Sequence, residues 1–171
     1  MAKKHPDPLP AIRRFAESCE GFFRVCADTS ITEKERIFRV SVVLAQLYAQ
    51  CLTLPSLFSD TESDEREISY DLLRRDLLAP QFPSLGYYHT CMNPLDVTGT
   101  AQNGTGDAID DLADIYIDLA RGYEYFKGGD LENAAWFWKL TFHHWGKHAL
   151  DLQRILFEII SKEDFPPREP S

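Results

Sequence analysis

Residues 107–151 read DAIDDLADIYIDLARGYEYFKGGDLENAAWFWKLTFHHWGKHALD, and the fold is decided by this stretch. At about 100° per residue, Ala108, Leu112, Ile115, Leu119, Gly122 and Phe126 fall on one side, which predicts a helix over 108–127. Asp107 is placed to cap its N-terminus, and Gly128-Gly129 to stop it. Asp130 opens a second helix, predicted to run unbroken to about 162. Its apolar stripe is Leu131, Ala134, Ala135, Trp138, Phe142, Trp145, Ala149, Leu152, Leu156 and Ile159. The tight Gly-Gly turn makes the two helices an antiparallel hairpin.

Each helix carries polar residues along the edge of its stripe. Asp111, Asp114 and Asp118 stand at i, i+3 and i+7 on the first, and His144 and His148 at i and i+4 on the second. Counting outward from the turn puts Asp114 level with His144, and Asp111 level with Lys147 and His148. The two edges either face each other or both face away, depending on the hand of the bundle. His143 falls on the solvent side with Lys147 and Arg154.

An Asp/His cluster beside a core has two readings. It is a structural network, in which carboxylates orient and satisfy the imidazoles. Alternatively it is a divalent-metal site, where a bound ion activates water for hydrolysis. The sequence contains no HExxH, no ExxH of the di-iron bundles and no HD dyad, so no residue is assigned a catalytic role. Trp138, Phe142 and Trp145 read as core. Trp136 falls on the outer face near Leu140, and the two are the candidate contact for a protein partner.

The rest of the chain extends the helical pattern. Ile12, Phe15, Cys19, Phe22 and Cys26 predict a helix over about 10–27. Ile37, Val40, Leu44, Leu47 and Cys51 predict another over about 33–53, with Thr32 and Glu35 at capping-box spacing. An acidic linker follows over 55–68. Ser69 precedes a short helix over about 70–78, which Pro80 and Pro83 should end. No strand pattern stands out. Residues 79–106 read as a long loop with a ring-rich first half and a mobile Gly/Thr/Asn half over 98–106. Residues 1–9 read as a flexible arm, 10–162 as one domain and 163–171 as a disordered tail.

The totals narrow the functional classes. The 171 residues are 44% hydrophobic with 12% aromatics, enough for a real core, and the net charge is −9. That charge argues against a nucleic-acid surface and against docking on anionic membranes. No apolar run reaches the length of a membrane span, and no apolar segment follows the basic start, so the expected location is cytoplasmic. Cys19, Cys26, Cys51 and Cys91 form no CxxC pair, and Cys19 and Cys26, seven apart on one apolar helix face, are expected to be reduced, buried core thiols.

The pairing of DDLADIYIDL with FHHWGKHALD resembles a bacterial domain-of-unknown-function family, number 5063. The matching positions are Asp111, Leu112, Ala113, Asp114, Ile115, Tyr116, Asp118 and Leu119, then Trp138, Phe142, His144, Trp145, Gly146, His148 and Ala149. Tyr88 and Asn93-Pro94 resemble an upstream tyrosine and an Asp-Pro pair, with Asn93 departing from the aspartate. The strong resemblance covers about residues 85–157. It implies a small, all-helical cytoplasmic bacterial protein and brings no activity, substrate or cofactor.

The expectation is thus an all-α, single helical bundle of four main helices and one short one, ending in an antiparallel hairpin. Its expected function is that of a non-enzymatic interaction or accessory protein. The alternative is a divalent-metal-dependent hydrolase using the same Asp/His cluster. No motif calls for a cofactor, and the divalent metal belongs to the alternative alone. The expected partner is a protein, and the sequence does not fix the oligomeric state.

Overall fold

A computed structural model describes residues 8–57 and 68–162. The expected arm, except for its last two residues, most of the acidic linker and the expected tail lie outside them. Helix α1 spans Leu9–Ala27 and buries Ile12, Phe15, Cys19, Phe22 and Cys26, the five stripe positions. Helix α2 spans Glu33–Thr53, and the Thr32 hydroxyl oxygen accepts the Glu35 N–H at 3.2 Å, which satisfies one of the helix's free N-terminal donors. Its buried face carries Ile37, Val40, Leu44, Leu47 and Cys51.

The short helical segment runs further than its prolines suggested. It comprises α3 (Tyr70–Leu72), a π-helical turn (Leu73–Leu78) and α4 (Ala79–Gln81). A proline in a helix lacks an N–H and crowds the carbonyl four residues back. The widened turn, in which Ala79 N–H reaches Arg74 O, carries the chain past Pro80. Only Phe82, at φ −130° and ψ 55°, leaves the helical region and ends the winding.

The predicted loop contains a strand pair. Strands β1 (Tyr87–Cys91) and β2 (Asn103–Asp107) pair antiparallel, with Tyr88 opposite Gly106 and Thr90 opposite Gly104. The half expected to be mobile forms a turn and the strand β2. Asp96 Oδ1 accepts from Thr98 N, Thr98 Oγ1 and Gly99 N, while Asn93 Oδ1 accepts from Gln102 N at 2.8 Å. Gly106 is opposite a tyrosine for a steric reason: a Cβ there would collide with the Tyr88 ring.

Helix α5 spans Ala108–Lys127, and Asp107 caps it by accepting from Ile109 N at 3.0 Å. Gly129 turns the chain at φ +83°, a conformation open to glycine. The helix predicted over 131–162 is two helices, α6 (Leu131–Leu140) and α7 (Phe142–Lys162), meeting at Thr141. The break has a compensation. Trp138 O, deprived of a backbone donor at the corner, accepts the Trp145 indole N–H at 3.1 Å and lies 3.8 Å from the Cys51 thiol. Thr141 Oγ1 donates back to Phe137 O.

Helices α5, α6 and α7 pack with α1 and α2 around one apolar cluster. Trp138 and Trp145 are its largest fully buried side chains, and Phe15 of α1 lies 4.8 Å from the first ring and 6.1 Å from the second. The Trp138 indole donates to Leu119 O at 3.0 Å, in space left by Gly122, where a Cβ would strike the ring. Lys139 Nζ binds three carbonyls at the end of α2, those of Cys51, Leu52 and Leu54.

Cys19 and Cys26 are buried as expected, as is Cys51 on the stripe of α2; Cys91 is exposed on β1. Its strand covers the helices with one face only, and position 91 is on the other. Trp136 is half-buried rather than outward-facing, whereas Leu140 is exposed. Among the described residues, no helix is long and apolar enough to cross a membrane. The molecule is mostly helical, with the small β1–β2 ribbon added to the bundle.

Candidate functional site

The acidic edge of α5 and the histidine edge of α7 face each other. His148 Nδ1 lies 2.6 Å from Asp111 Oδ1, and His144 Nδ1 lies 2.8 Å from Asp118 Oδ2. An ionised carboxylate only accepts, so in each pair the Nδ1–H donates. In the neutral ring, that leaves the lone pair on Nε2. His148 Nε2 is 3.5 Å from Asp114 Oδ2, longer than a good hydrogen bond. The two imidazoles meet edge to face with centroids 4.8 Å apart.

The register is close to the one counted, with one change of hydrogen-bond partner. His144 was expected level with Asp114 but hydrogen-bonds Asp118. Asp118 is one helical turn from Asp114, and Asp114 still brings a ligand atom within 4.8 Å of His144. The expected level of Asp111 with His148 is the one found. His143 lies outside the cluster, exposed, with Nδ1 at 2.8 Å from Leu140 O.

Burial divides the site into a back and a front. Asp111 and Asp118 are buried carboxylates, which water alone does not stabilise, so each takes an imidazole N–H. Asp114 and His148 are partly exposed, and the His144 side chain is 48% exposed. The His148 pKa is raised, first by the hydrogen bond to Asp111 and against the opposing effect of burial. The carboxyl of Asp114 is raised by burial, which His148 and His144 partly offset.

One member was not singled out by helical geometry. Tyr88 on β1 donates its hydroxyl to Asp111 Oδ2 at 2.5 Å, so Asp111 joins α5, α7 and the strand. Its signal in the sequence was the tyrosine of the upstream motif, followed by Gly106. Thr90 Oγ1 lies 3.3 Å from Asp151 Oδ1, and Arg154 donates to His89 O at 3.0 Å, both also holding the ribbon on α7. On the far side of α5, Arg74 of the π turn pairs with Asp107 and Asp110.

Asn93 needs no charge for its contact with Gln102, and its side chain also hydrogen-bonds Asp96, which an ionised aspartate there would repel. Its amide oxygen accepts a backbone N–H, a bond open equally to an aspartate. Asp114, His144 and His148 each bring one ligand atom within 4.8 Å of the others, a set of the type that holds a divalent ion.

The comparisons with known proteins agree with this architecture. The crystal structure of protein BF1032 from Bacteroides fragilis is similar, with a TM-score of 0.67 at 20% identity, over 95% of this chain and 95% of that one. At that identity the likeness is one of fold. No curated protein matches in sequence. The family described as "Domain of unknown function (DUF5063)" matches residues 7–162, which takes in α1 and α2 as well as the motif-bearing hairpin, and the chain belongs to that family.

Proposed function

We propose that the protein is a non-enzymatic interaction or accessory protein, in which the Asp/His cluster locks α5, α7 and the β1–β2 ribbon together and the ribbon's tip meets a protein partner. One observation carries the reading: the ribbon is fixed at its base and bare at its tip. Tyr88, Thr90 and His89 are tied to α5 and α7. Beyond them, Leu95 is 95% exposed and Val97 89%. Apolar side chains on a well-ordered turn cost little conformational entropy when covered, which favours a protein contact. Leu140, exposed on α6, remains the second candidate contact, with half-buried Trp136 four residues before it.

The test is a photo-crosslinker placed at Val97 in cells, with Glu158 on α7 as the control position. The expected result is a defined protein adduct from position 97 that is lost in Leu95→Asp. Equal labelling from both positions, or none from the tip, would remove the proposal. A second reading, a divalent-metal-dependent hydrolase, is supported by Asp114, His144 and His148, which each bring a ligand atom within 4.8 Å of the others.

A further inference from the structure

We infer that Asp114, His144 and His148 form a binding site for one divalent ion of the zinc class, backed by Asp111 and Asp118. The inference does not rest on the partner-binding reading, since it concerns the opposite side of each imidazole.

The first support is the tautomer. A metal-binding histidine commonly donates its other ring N–H to a carboxylate, which fixes the ring's orientation and makes the free nitrogen a better donor to the ion. Both histidines have that arrangement, His144 with Asp118 and His148 with Asp111. A network serving structure alone needs only the Nδ1 side. Among the described residues, His144 Nε2 has no hydrogen-bond partner.

The second support is spacing. Zinc holds nitrogen and oxygen ligands at about 2.0–2.2 Å in tetrahedral geometry, which separates ligand atoms by roughly 3.4 Å. His148 Nε2 and Asp114 Oδ2 are 3.5 Å apart, too far for a good hydrogen bond and right for a shared ion. One ligand atom from each of the three residues lies within 4.8 Å of the others, so closure needs at most about 1.4 Å of movement. His144 can supply it, being the most exposed of the three.

The third is the donor set. Two imidazoles and one carboxylate suit zinc, cobalt or nickel; magnesium and calcium favour oxygen shells. Three protein ligands leave at least one position open on the solvent side, as in zinc sites that exchange a water. The buried carboxylates behind and the exposed front give the ion an entry path.

The probes are cobalt(II) and zinc(II) salts, titrated into the full chain after tag removal and chelator treatment. Cobalt(II) should give visible d–d absorption saturating at one ion per chain, and calorimetry with zinc(II) should give the same stoichiometry. Asp114→Ala leaves both Asp–His pairs intact and should abolish the signal in a chain with wild-type circular dichroism. His144→Ala should do the same. Asp118→Asn keeps all three ligands and should weaken binding by about 10–100-fold, an effect on affinity that a ligand-free structural role would not produce. His143→Ala and Leu95→Asp should bind like wild type, which separates this site from the ribbon tip. Lack of stoichiometric binding to the wild-type chain overturns the inference. So does wild-type affinity in Asp114→Ala and His144→Ala.

Discussion

The Tyr88 hydroxyl and the Asp111 carboxylate, from a strand and a helix 23 positions apart, meet at 2.5 Å, and the other oxygen of that carboxylate takes the His148 N–H. A single buried charge thus has two donors from two different elements. Tyr88→Phe removes one of them without changing the ring. Because a hydrogen bond to a charged group is worth more than a neutral one, the loss should be about 1–2 kcal/mol by urea denaturation. Hydrogen exchange should show β1 amides losing protection while α1 is unaffected. Unchanged β1 protection would mean that the ribbon is held by its ladder alone.

The same tyrosine gives a steric prediction. Gly106→Ala places a methyl group in the Tyr88 ring and should cost about 1–3 kcal/mol, because either the ring or the strand must shift. Gly86→Ala is the control. A Cβ there meets nothing within 4 Å, so its effect should stay within about 0.5 kcal/mol. Equal costs at the two positions would refute the packing argument.

The thiols should divide three to one. Burial raises the pKa of Cys19 and Cys26, and it pushes Cys51 up to about 12 against the opposing charge of Lys139. Thiolate is the reactive form. An aromatic disulfide reagent should therefore modify Cys91 quickly in the native protein and reach the other three only in denaturant. Rapid reaction of a second native thiol would contradict the burial described.

In metal-free protein, His148 should make stability depend on pH. Its folded pKa is raised, chiefly by the Asp111 hydrogen bond, so protonation favours the folded state. The contribution is full below the unfolded value of about 6.5 and is lost as pH rises through the folded value. Urea midpoints of chelator-treated protein should fall across that window in the wild type. In His148→Gln the fall should be smaller. Parallel curves for the two proteins would rule out His148 as the source.

Much of this was legible in the chain because helical periodicity is a local property. The stripes of α1, α2 and α5, and the caps at Thr32, Asp107 and Asp130, follow from residues three or four apart. Asp111, Asp114, Asp118, His144 and His148 were likewise placed on edges by counting. What counting could not supply was tertiary. The corner at Thr141 depends on Trp145 and Cys51 being present to serve Trp138 O. His144 was set against Asp114, and the hydrogen bond it makes is to Asp118, one turn along α5. The ribbon escaped because NGTGD has no apolar alternation; its strand is defined by the ladder and by a tyrosine lying over a glycine.

The ammonium of Lys139 has a consequence for the order in which the chain folds. It closes the end of α2 by binding carbonyls 85 to 88 positions earlier in sequence. Until α6 arrives, Leu52 O and Leu54 O lack this donor and Cys51 O has only the Leu54 N–H, so the last turn of α2 is free to fray. The N-terminal helix pair is therefore expected to form early with a ragged end, which the last third of the chain completes. Pulse-labelling hydrogen exchange during refolding should find the final turn of α2 protected together with α6, later than the middle of α2. Simultaneous protection along the whole of α2 would show that the helix finishes without its distant cap.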